Sequence, residues 1–192
     1  WEIFLKRHQI QLPDGFLQQN NQGTILEIIP RIFGATLSKE KCLQLGNEKE
    51  QIYRELYKPH IAAVPGLINF LQAANAVGLK LALATMADLA NVEMVLNTLK
   101  IGHLFDAVVT GADVNHGKPN PEVFLKAAHS LNLPVSSLLI FEDSLSGVQA
   151  GVAANISVVG INTSQSAEKL LQAGVKKVIE NYHDVVPGIW PF

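Results

Sequence analysis

The amino-acid sequence predicts an α/β protein in which an all-helical region precedes a core of parallel strands and helices. Residues 1 to about 60 carry apolar residues only at helical spacing, with charged residues between them. After Pro65 the pattern changes, and short apolar runs alternate with longer amphipathic segments. The 192 residues suffice for one substantial core together with a small second lobe. We therefore expect a helical domain at residues 1–60 and an α/β core at residues 61–192.

The composition is that of an ordinary globular protein and argues against several functional classes. Hydrophobic residues make up 48% of the chain, and 15 Lys and Arg residues stand against 17 Asp and Glu residues. This balance provides no positive patch for nucleic acid or for an anionic membrane. The single cysteine, Cys42, excludes an intrachain disulfide and a cysteine metal cage, which fits a reducing cytoplasm. We expect a cytoplasmic monomer with no nucleic-acid or membrane partner.

Three amphipathic stripes predict the helices of the first region. Their apolar residues recur on one face of a helix and are Trp1, Phe4 and Leu5; Ile25, Ile28, Ile29, Ile32 and Phe33; and Ile52, Leu56 and Tyr57. The segment "KPHIAAVPG" follows, and its two prolines are typical of a linker. It predicts the boundary between the two regions near residue 60.

The second region predicts strands that alternate with helices. Apolar runs place four strands near residues 79–85, 106–110, 137–142 and 157–161, and "KKVIE" provides a last one. Helix signals separate them, with Asp88 as the N-cap of one helix and Asn120 as the cap of another. Strands that alternate with helices form right-handed βαβ units and hence a parallel sheet. Such a sheet is covered on both faces, which agrees with strands that are apolar throughout.

Polar side chains follow several of these strands at the point where each strand ends. Thr85 and Met86 follow the first strand, Glu142 and Asp143 follow the third, and Lys118 lies in the loop "HGKPNPE" after the second. Because the carboxyl ends of parallel strands meet at one edge of the sheet, we expect these residues to converge. A hydroxyl, backbone amides and an ammonium group suit a phosphate, and two carboxylates suit Mg²⁺. The sequence therefore predicts a phosphate-handling site with Mg²⁺ as its cofactor.

Each of these residues, taken alone, also has a purely structural interpretation. Glu142 and Asp143 could lie in a solvated loop in which Asp143 or Ser144 caps the next helix. Thr85 could be a turn residue, and Lys118 could be a surface lysine. Their common position at the carboxyl ends of successive strands favours the functional interpretation.

The segments "LALAT", "GKPNPEVF" and "LIFEDSLSGVQAGVAA", in this order, resemble the haloacid dehalogenase superfamily. The resemblance covers essentially the whole chain and is greatest to its β-phosphoglucomutase-like phosphatases, which combine a Rossmann-like parallel sheet core with a small all-helical cap. It implies an enzyme that acts on a small phosphorylated substrate. The implied catalytic residues are Thr85, Lys118 and Asp143. Thr85 and the Met86 amide would bind the phosphoryl group, Lys118 would bind this group and the nucleophile, and Asp143 with Glu142 would hold Mg²⁺.

The sequence departs from that superfamily at its first strand. The superfamily carries an Asp-x-Asp-Gly motif there, in which the first aspartate attacks phosphorus and the second is the general acid and base. No such motif precedes the helix at Trp1, and "LPDGF" around Asp14 lacks the first aspartate and the apolar strand. We expect a core without this strand, a gap in the sheet beside "LIFED", and an inactive chain whose motif lies upstream of Trp1. The alternative is a non-catalytic relic that binds a phosphometabolite and pairs "LALAT" directly with "LIFED".

Residues of the cap and of the loop after the first strand predict the type of substrate. The related mutases use cationic cap side chains to hold a second phosphate, whereas Gln22 and Leu26 lie at the matching positions here. Lys49 is a candidate substrate-binding residue, although it could be a charge on a solvated helix face. Asp88 replaces a basic residue and would repel a second phosphate. We therefore expect a phosphatase of a small phosphorylated metabolite, such as a sugar phosphate, with a β-phosphoglucomutase as the alternative.

Overall fold

The computed structural model describes residues 1–183 and 185–187. We refer to residues 1–60 as the cap, whose α-helices are α1 (Glu2–Arg7), α2 (Phe16–Asn20), α3 (Ile25–Phe33) and α4 (Lys39–Tyr57). Thr24 and Glu27 form a capping box at the start of α3, and Ser38 caps α4 by accepting a hydrogen bond from the Lys41 amide at 3.2 Å. The cap contains no strand, in agreement with its helical periodicity.

The apolar stripes of the cap helices pack together into a small core of their own. Phe4 and Ile29 are fully buried in it, and α4 adds further buried side chains, which are Cys42, Leu45 and Ile52. The Phe4 ring lies 5.6 Å from the Phe33 ring, measured between centroids. The cap therefore has a hydrophobic core of its own.

The remainder of the chain alternates helices and strands in the predicted order. The elements are α5 (Leu67–Ala76), β1 (Ala82–Ala84), α6 (Leu89–Leu99), β2 (Ala107–Val109), α7 (Glu122–Leu131), β3 (Leu139–Glu142), α8 (Leu145–Ala153), β4 (Ser157–Ile161), α9 (Ala167–Gln172) and β5 (Lys177–Ile179). Each predicted strand is present, and several are shorter than their apolar runs. Within the described range, no helix is long and apolar enough to cross a membrane.

The strands form two parallel sheets. β1 pairs with β2, with Ala82 opposite Ala107, while β3 pairs with β4 and β4 with β5. The predicted parallel pairing is confirmed. Among residues 1–183 and 185–187, β1 and β3 are not paired with each other, so the expected gap beside β3 is present there.

A cavity of about 1300 Å³ occupies the space between β1 and β3 and extends to the cap. Leu83 and Ala84 line it on the β1 side, and Ile140 and Phe141 line it on the β3 side. Helices α5, α6 and α7 cover it with side chains that include Phe70, Val92 and Ala127. At the cap end, the lining includes Leu26, Lys49 and Glu50.

Candidate functional site

A buried ion pair lies at the carboxyl ends of β1 and β3. Lys118 Nζ is 2.7 Å from Glu142 Oε2 and 3.4 Å from the carbonyl oxygen of Ala84. The two charged side chains are only 11% and 10% exposed, and the ammonium lies 4.7 Å from the centroid of the Phe124 ring. Lys118 is therefore not a surface lysine. Its side chain connects the last residue of β1 with the last residue of β3.

The backbone before and after Lys118 is fixed by local hydrogen bonds. Glu122 accepts hydrogen bonds from the amides of Asn115 at 2.9 Å and His116 at 3.0 Å. The Asn120 side chain accepts one from the Glu122 amide at 3.0 Å, as expected of a capping residue, although Pro121 directly precedes α7 as its N-cap. The Lys118 amide donates to Met86 Sδ at 3.3 Å. The loop after β2 is thus packed directly against the loop after β1.

Both oxygens of the Glu142 carboxylate are occupied by protein groups. Oε2 accepts from Lys118, and Oε1 accepts from the Ser144 hydroxyl at 2.7 Å and the Ser144 amide at 3.0 Å. Burial acts to raise the pKa of Glu142, but the charge of Lys118 and the hydrogen bonds from Lys118 and Ser144 outweigh it, so this pKa lies below its ordinary value. A Cβ at Gly147 would lie 2.0 Å from Glu142 Cδ, so the carboxylate needs a glycine there. Glu142 is charged and orients Lys118.

Thr85 and Met86 form the loop that follows β1, and both line the cavity. The Thr85 amide donates to the Val109 carbonyl at 2.9 Å, which extends the pairing of β1 with β2. The Thr85 hydroxyl oxygen accepts a hydrogen bond from the Ala87 amide at 3.1 Å and so shapes the turn. Thr85 is thus a turn residue that also faces the cavity.

Asp143 lies beside this ion pair, in the loop between β3 and α8. The Thr163 hydroxyl lies 3.2 Å from Asp143 Oδ2, and the Ser164 hydroxyl donates to the Asp143 carbonyl at 2.9 Å. Ser144, not Asp143, caps α8, because its hydroxyl accepts from the Gly147 amide at 3.0 Å. The described residues contain no cluster of three or more His, Cys, Asp or Glu side chains that could hold a metal. Mg²⁺ is often held by one or two carboxylates with waters and a phosphate, a role that Asp143 fits better than the fully occupied Glu142.

Lys49 of α4 lines the cavity from the cap side. Its ammonium lies 2.6 Å from Glu50 Oε1, 5.1 Å from the Trp1 ring centroid and 5.5 Å from the Tyr53 ring centroid. Because the side chain is only 16% exposed, Lys49 is not a charge on a solvated helix face. Two aromatic rings and a carboxylate hold it in place.

Asp88 does not present an isolated negative charge to the site. Its Oδ1 accepts from the Asn91 amide at 2.7 Å, which confirms the predicted N-cap of α6. Its Oδ2 accepts from Arg54 Nη1 of the cap at 3.1 Å. The expectation that Asp88 would repel a second phosphate assumed an unpaired carboxylate, and the sequence pattern did not reveal Arg54, the cation that pairs with it.

Several cap-to-core contacts were missed by the sequence analysis. Asn91 is buried and donates to Glu50 Oε2 at 2.6 Å, while its side-chain oxygen accepts from Arg54 at 3.0 Å. On the other side of the site, Glu27 Oε2 accepts from the Gly117 amide at 3.1 Å. The capping box of α3 is a sequence signal for Glu27, but it does not indicate this second contact.

Comparisons with known proteins agree with this architecture. A phosphorylated carbohydrates phosphatase of Thermotoga maritima is 33% identical over 135 residues, which are 69% of this chain and 61% of that protein. A β-phosphoglucomutase of Mycobacterium bovis is 33% identical over 175 residues, which are 88% of this chain and 60% of that protein. The chain thus spans about 60% of the length of these relatives.

A solved structure and a family model also match this chain and indicate the same kind of protein as these relatives. The crystal structure of a family IA, variant 3 hydrolase from Entamoeba histolytica matches with a TM-score of 0.81 and 26% identity, over 96% of this chain and 84% of that chain. The sequence model of the family described as haloacid dehalogenase-like hydrolase matches residues 12–161. Because this match covers most of the sequence, the chain belongs to the haloacid dehalogenase-like hydrolase family.

Proposed function

We propose that the protein is a Mg²⁺-dependent phosphatase that releases phosphate from a small phosphorylated metabolite, such as a sugar phosphate. The observation that carries this proposal is the buried ammonium of Lys118, held between Glu142 and the Ala84 carbonyl. Thr85 follows Ala84 directly and brings a hydroxyl and the Met86 amide to the same strand end. A fixed cation beside such donors, at the carboxyl edge of parallel strands, suits a phosphate group.

Each of these residues has a distinct role in the proposed reaction. Thr85 and the Met86 amide bind oxygens of the transferred phosphoryl group. Lys118 contacts the same group and the attacking nucleophile, and its charge stabilises the negative charge that develops during transfer. Glu142 acts through Lys118 by fixing the position of the ammonium. These groups are held in place before a substrate binds, which is the condition under which electrostatic stabilisation is most effective.

We propose further that the nucleophile is an aspartate on a strand located between β1 and β3, encoded upstream of Trp1. Two observations support this position: the cavity in the gap is lined by both strands and covered by helices, and Lys118 connects the carboxyl ends of both strands. A strand there would have a parallel neighbour on each side, at about 4.8 Å. An aspartate at its carboxyl end would lie next to Lys118.

The proposed transfer takes place in two steps. The aspartate oxygen forms a bond to phosphorus as the bond from phosphorus to the metabolite oxygen breaks, and a second carboxylic acid protonates that oxygen. Water then cleaves the acyl phosphate and releases inorganic phosphate. Without the carboxylate in the gap, residues 1–192 alone are expected to be inactive.

Asp143 is the residue that we propose as a ligand of Mg²⁺. When bound, the ion would neutralise charge on the phosphoryl oxygens. Glu142 would contact the ion through water, since its own oxygens accept hydrogen bonds from Lys118 and Ser144.

The cap favours a substrate with a single phosphate. Leu26 presents an apolar side chain to the cavity, and the charge of Lys49 is already paired with Glu50. A phosphosugar mutase would need a free cationic group there for a second phosphate. The alternative activity, that of a β-phosphoglucomutase, is favoured by the similarity to the Mycobacterium bovis protein of that name over 88% of the chain. The alternative of another class is a relic that binds phosphometabolites without turnover.

We propose a cytoplasmic monomer whose partner is its small substrate, without a nucleic-acid or membrane partner. The balance of 15 basic and 17 acidic residues and the single buried cysteine support this proposal.

The proposal is tested by measuring phosphate release from a panel of sugar phosphates and glycerol phosphates. The protein is produced with the residues encoded directly upstream of Trp1 and is assayed with MgCl₂ or with EDTA. We expect release that requires Mg²⁺ and an upstream Asp-x-Asp-Gly. Conversion of β-glucose 1-phosphate to glucose 6-phosphate would support the mutase. Phosphate binding without turnover, together with the absence of that motif, would support the relic.

Asp143→Asn is expected to raise the Mg²⁺ concentration needed for the half-maximal rate by at least about tenfold, and to lower turnover. The reason is that an amide oxygen carries no negative charge for the cation. The rate of phosphate release is measured as a function of MgCl₂ concentration. Ser164→Ala serves as the control, because it removes the hydroxyl on the Asp143 carbonyl and leaves the carboxylate intact. Unchanged magnesium dependence in the asparagine variant would leave Asp143 with a purely structural role.

A further inference from the structure

Glu27 of the cap contacts the loop that carries Lys118. Its Oε2 accepts hydrogen bonds from the Gly117 amide at 3.1 Å and from the Thr24 amide at 2.6 Å. Its Oε1 lies 3.9 Å from Nδ1 of His116. One carboxylate therefore joins the first turn of α3 to the residue that directly precedes Lys118.

The backbones of the cap and the core approach each other closely at this contact. A Cβ at Gly117 would lie 2.3 Å from Gly23 Cα and 2.6 Å from the Thr24 nitrogen. A Cβ at Gly23 would lie 2.6 Å from Glu27 Oε2. A Cβ at Gly117 would thus meet backbone atoms, and one at Gly23 would meet a carboxylate that already accepts two hydrogen bonds. Neither position accepts a side chain while the cap is docked. The contact therefore requires both glycines.

The hydrogen bond from Gly117 is made to a charged acceptor. Burial acts to raise the pKa of Glu27, but the hydrogen bonds from Thr24 and Gly117, together with the charge of Arg31, lower it below its ordinary value. Glu27 is thus ionised at neutral pH, and hydrogen bonds to an ionised acceptor are stronger than those to a neutral one.

A second set of bonds holds the cap on the other side of the site. Glu50 and Arg54 of α4 bind Asn91 and Asp88 at the start of α6, shortly after Thr85. Because these bonds are separate from Glu27, the cap has another attachment when the Glu27 contact is removed. The effect of a change at Glu27 is therefore expected to be local to the Lys118 loop.

We infer that Glu27 is a positioning residue for Lys118: the docked cap holds the Gly117 amide and thereby sets where the ammonium lies in the phosphate site. Two contacts then fix the backbone of Lys118. The preceding amide, that of Gly117, donates to Glu27, and the amide of Lys118 itself donates to Met86 Sδ. This inference rests on the proposed phosphate-binding role of Lys118. It adds that the cap controls this role through a main-chain contact.

The core side of the contact is tested with Gly117→Ala, which changes no residue of α3 or of its capping box. Its Cβ prevents the cap from seating on the loop, and displacement of the ammonium by about 1 Å can lower kcat by about 10²-fold. Gly102→Ala is the matched control, because a Cβ there meets only Leu96 atoms at 3.6 and 3.9 Å. We expect wild-type kcat and wild-type affinity for inorganic phosphate in the control, and losses of both in Gly117→Ala.

The cap side is tested with Glu27→Ala against Thr24→Val. Both variants remove a hydrogen bond of the capping box, but only Glu27→Ala removes the acceptor of the Gly117 amide. Glu27→Gln retains an oxygen acceptor and is expected to recover part of the loss. If Thr24→Val lowers kcat as much as Glu27→Ala, Glu27 merely stabilises the cap helix and the inference is wrong.

Two further readouts separate this inference from the proposed function. The first is amide hydrogen exchange of residues 116–118, which we expect to be faster in Glu27→Ala than in Thr24→Val. Equal exchange in these two variants would overturn the inference whatever their activity.

The second readout is the binding of inorganic phosphate, measured by titration calorimetry. If exchange accelerates but phosphate affinity and kcat stay at wild-type values, the contact exists without positioning Lys118, and the inference is again wrong. A wild type that binds phosphate but transfers none would contradict only the proposed activity.

Discussion

Replacement of Lys118 by alanine is expected to lower the turnover number for phosphate release by about 10²–10³. The ammonium is buried and fixed at 2.7 Å from Glu142 and 3.4 Å from the Ala84 carbonyl, so it is placed before the substrate arrives. Its loss removes a preorganised charge from the transferring phosphoryl group. The rate is measured in the protein produced with the residues encoded upstream of Trp1, on a substrate that this protein turns over, at saturating MgCl₂. Lys118→Arg should not restore it, because a planar guanidinium does not match a compact ammonium site.

The effect on turnover must be separated from an effect on folding, because Lys118→Ala leaves Glu142 buried without its cation. The double variant Lys118→Met, Glu142→Gln removes both charges while keeping side chains of similar length. We expect it to recover most of the lost stability, since a neutral pair costs little to bury, but none of the activity. A Lys118→Ala protein that keeps more than about a third of the wild-type rate at unchanged stability would show that Lys118 is not part of the phosphate site.

Replacement of Glu142 by glutamine is expected to lower the free energy of unfolding at neutral pH by on the order of 3–5 kcal/mol. Glutamine can still accept from Ser144, but it leaves the Lys118 ammonium buried without a counter-charge. The measurement is urea unfolding at pH 7. Glu122→Gln is the control, because the Glu122–Lys126 pair is nearer the surface and its loss should destabilise the protein far less.

The stability difference between wild type and Glu142→Gln is also expected to depend on pH. The pKa of Glu142 in the folded protein lies below 4.5, its ordinary value. Its ionisation therefore contributes stability that is fully present above pH 4.5 and is lost as the pH falls through the lowered pKa. Other carboxylates with lowered pKa values are present in both proteins, so their contributions cancel in the difference. A difference that stays constant well below pH 4.5 would contradict this assignment.

The sequence predicted the strands and the convergence of their ends because both depend on local patterns. Short apolar runs between helix signals indicate parallel strands. Because the carboxyl ends of parallel strands meet at one edge of the sheet, Lys118 and Glu142 were expected to lie close together. The strand boundaries were less predictable. Leu81 was expected within the first strand, but its amide binds the Asp106 carboxylate at 2.9 Å and its carbonyl accepts from the Asp106 amide at 2.8 Å. This side-chain contact replaces the regular ladder, so β1 begins at Ala82.

The contacts between the cap and the core could not be predicted from the sequence, because they join residues far apart in the chain. Gly117 is 90 positions from Glu27, and Asp88 is 34 positions from Arg54. No periodicity or capping signal relates such pairs. The charge of Asp88 was therefore interpreted without its partner, and the positioning contact of Glu27 was not anticipated.

The setting of Trp1 provides an intrinsic optical reporter in the lining of the cavity. Its ring lies 5.1 Å from the Lys49 ammonium and 5.9 Å from the Phe4 ring, and it lines the same space as Thr85. Indole emission responds to nearby charge and to exposure to water, so a ligand that draws Lys49 away from the ring would change its wavelength and intensity. The sequence contains one other tryptophan, Trp190. Trp190→Phe would leave Trp1 as the one tryptophan within residues 1–192, and its emission would follow the arrival of a substrate in real time, without a label and before any phosphate is released.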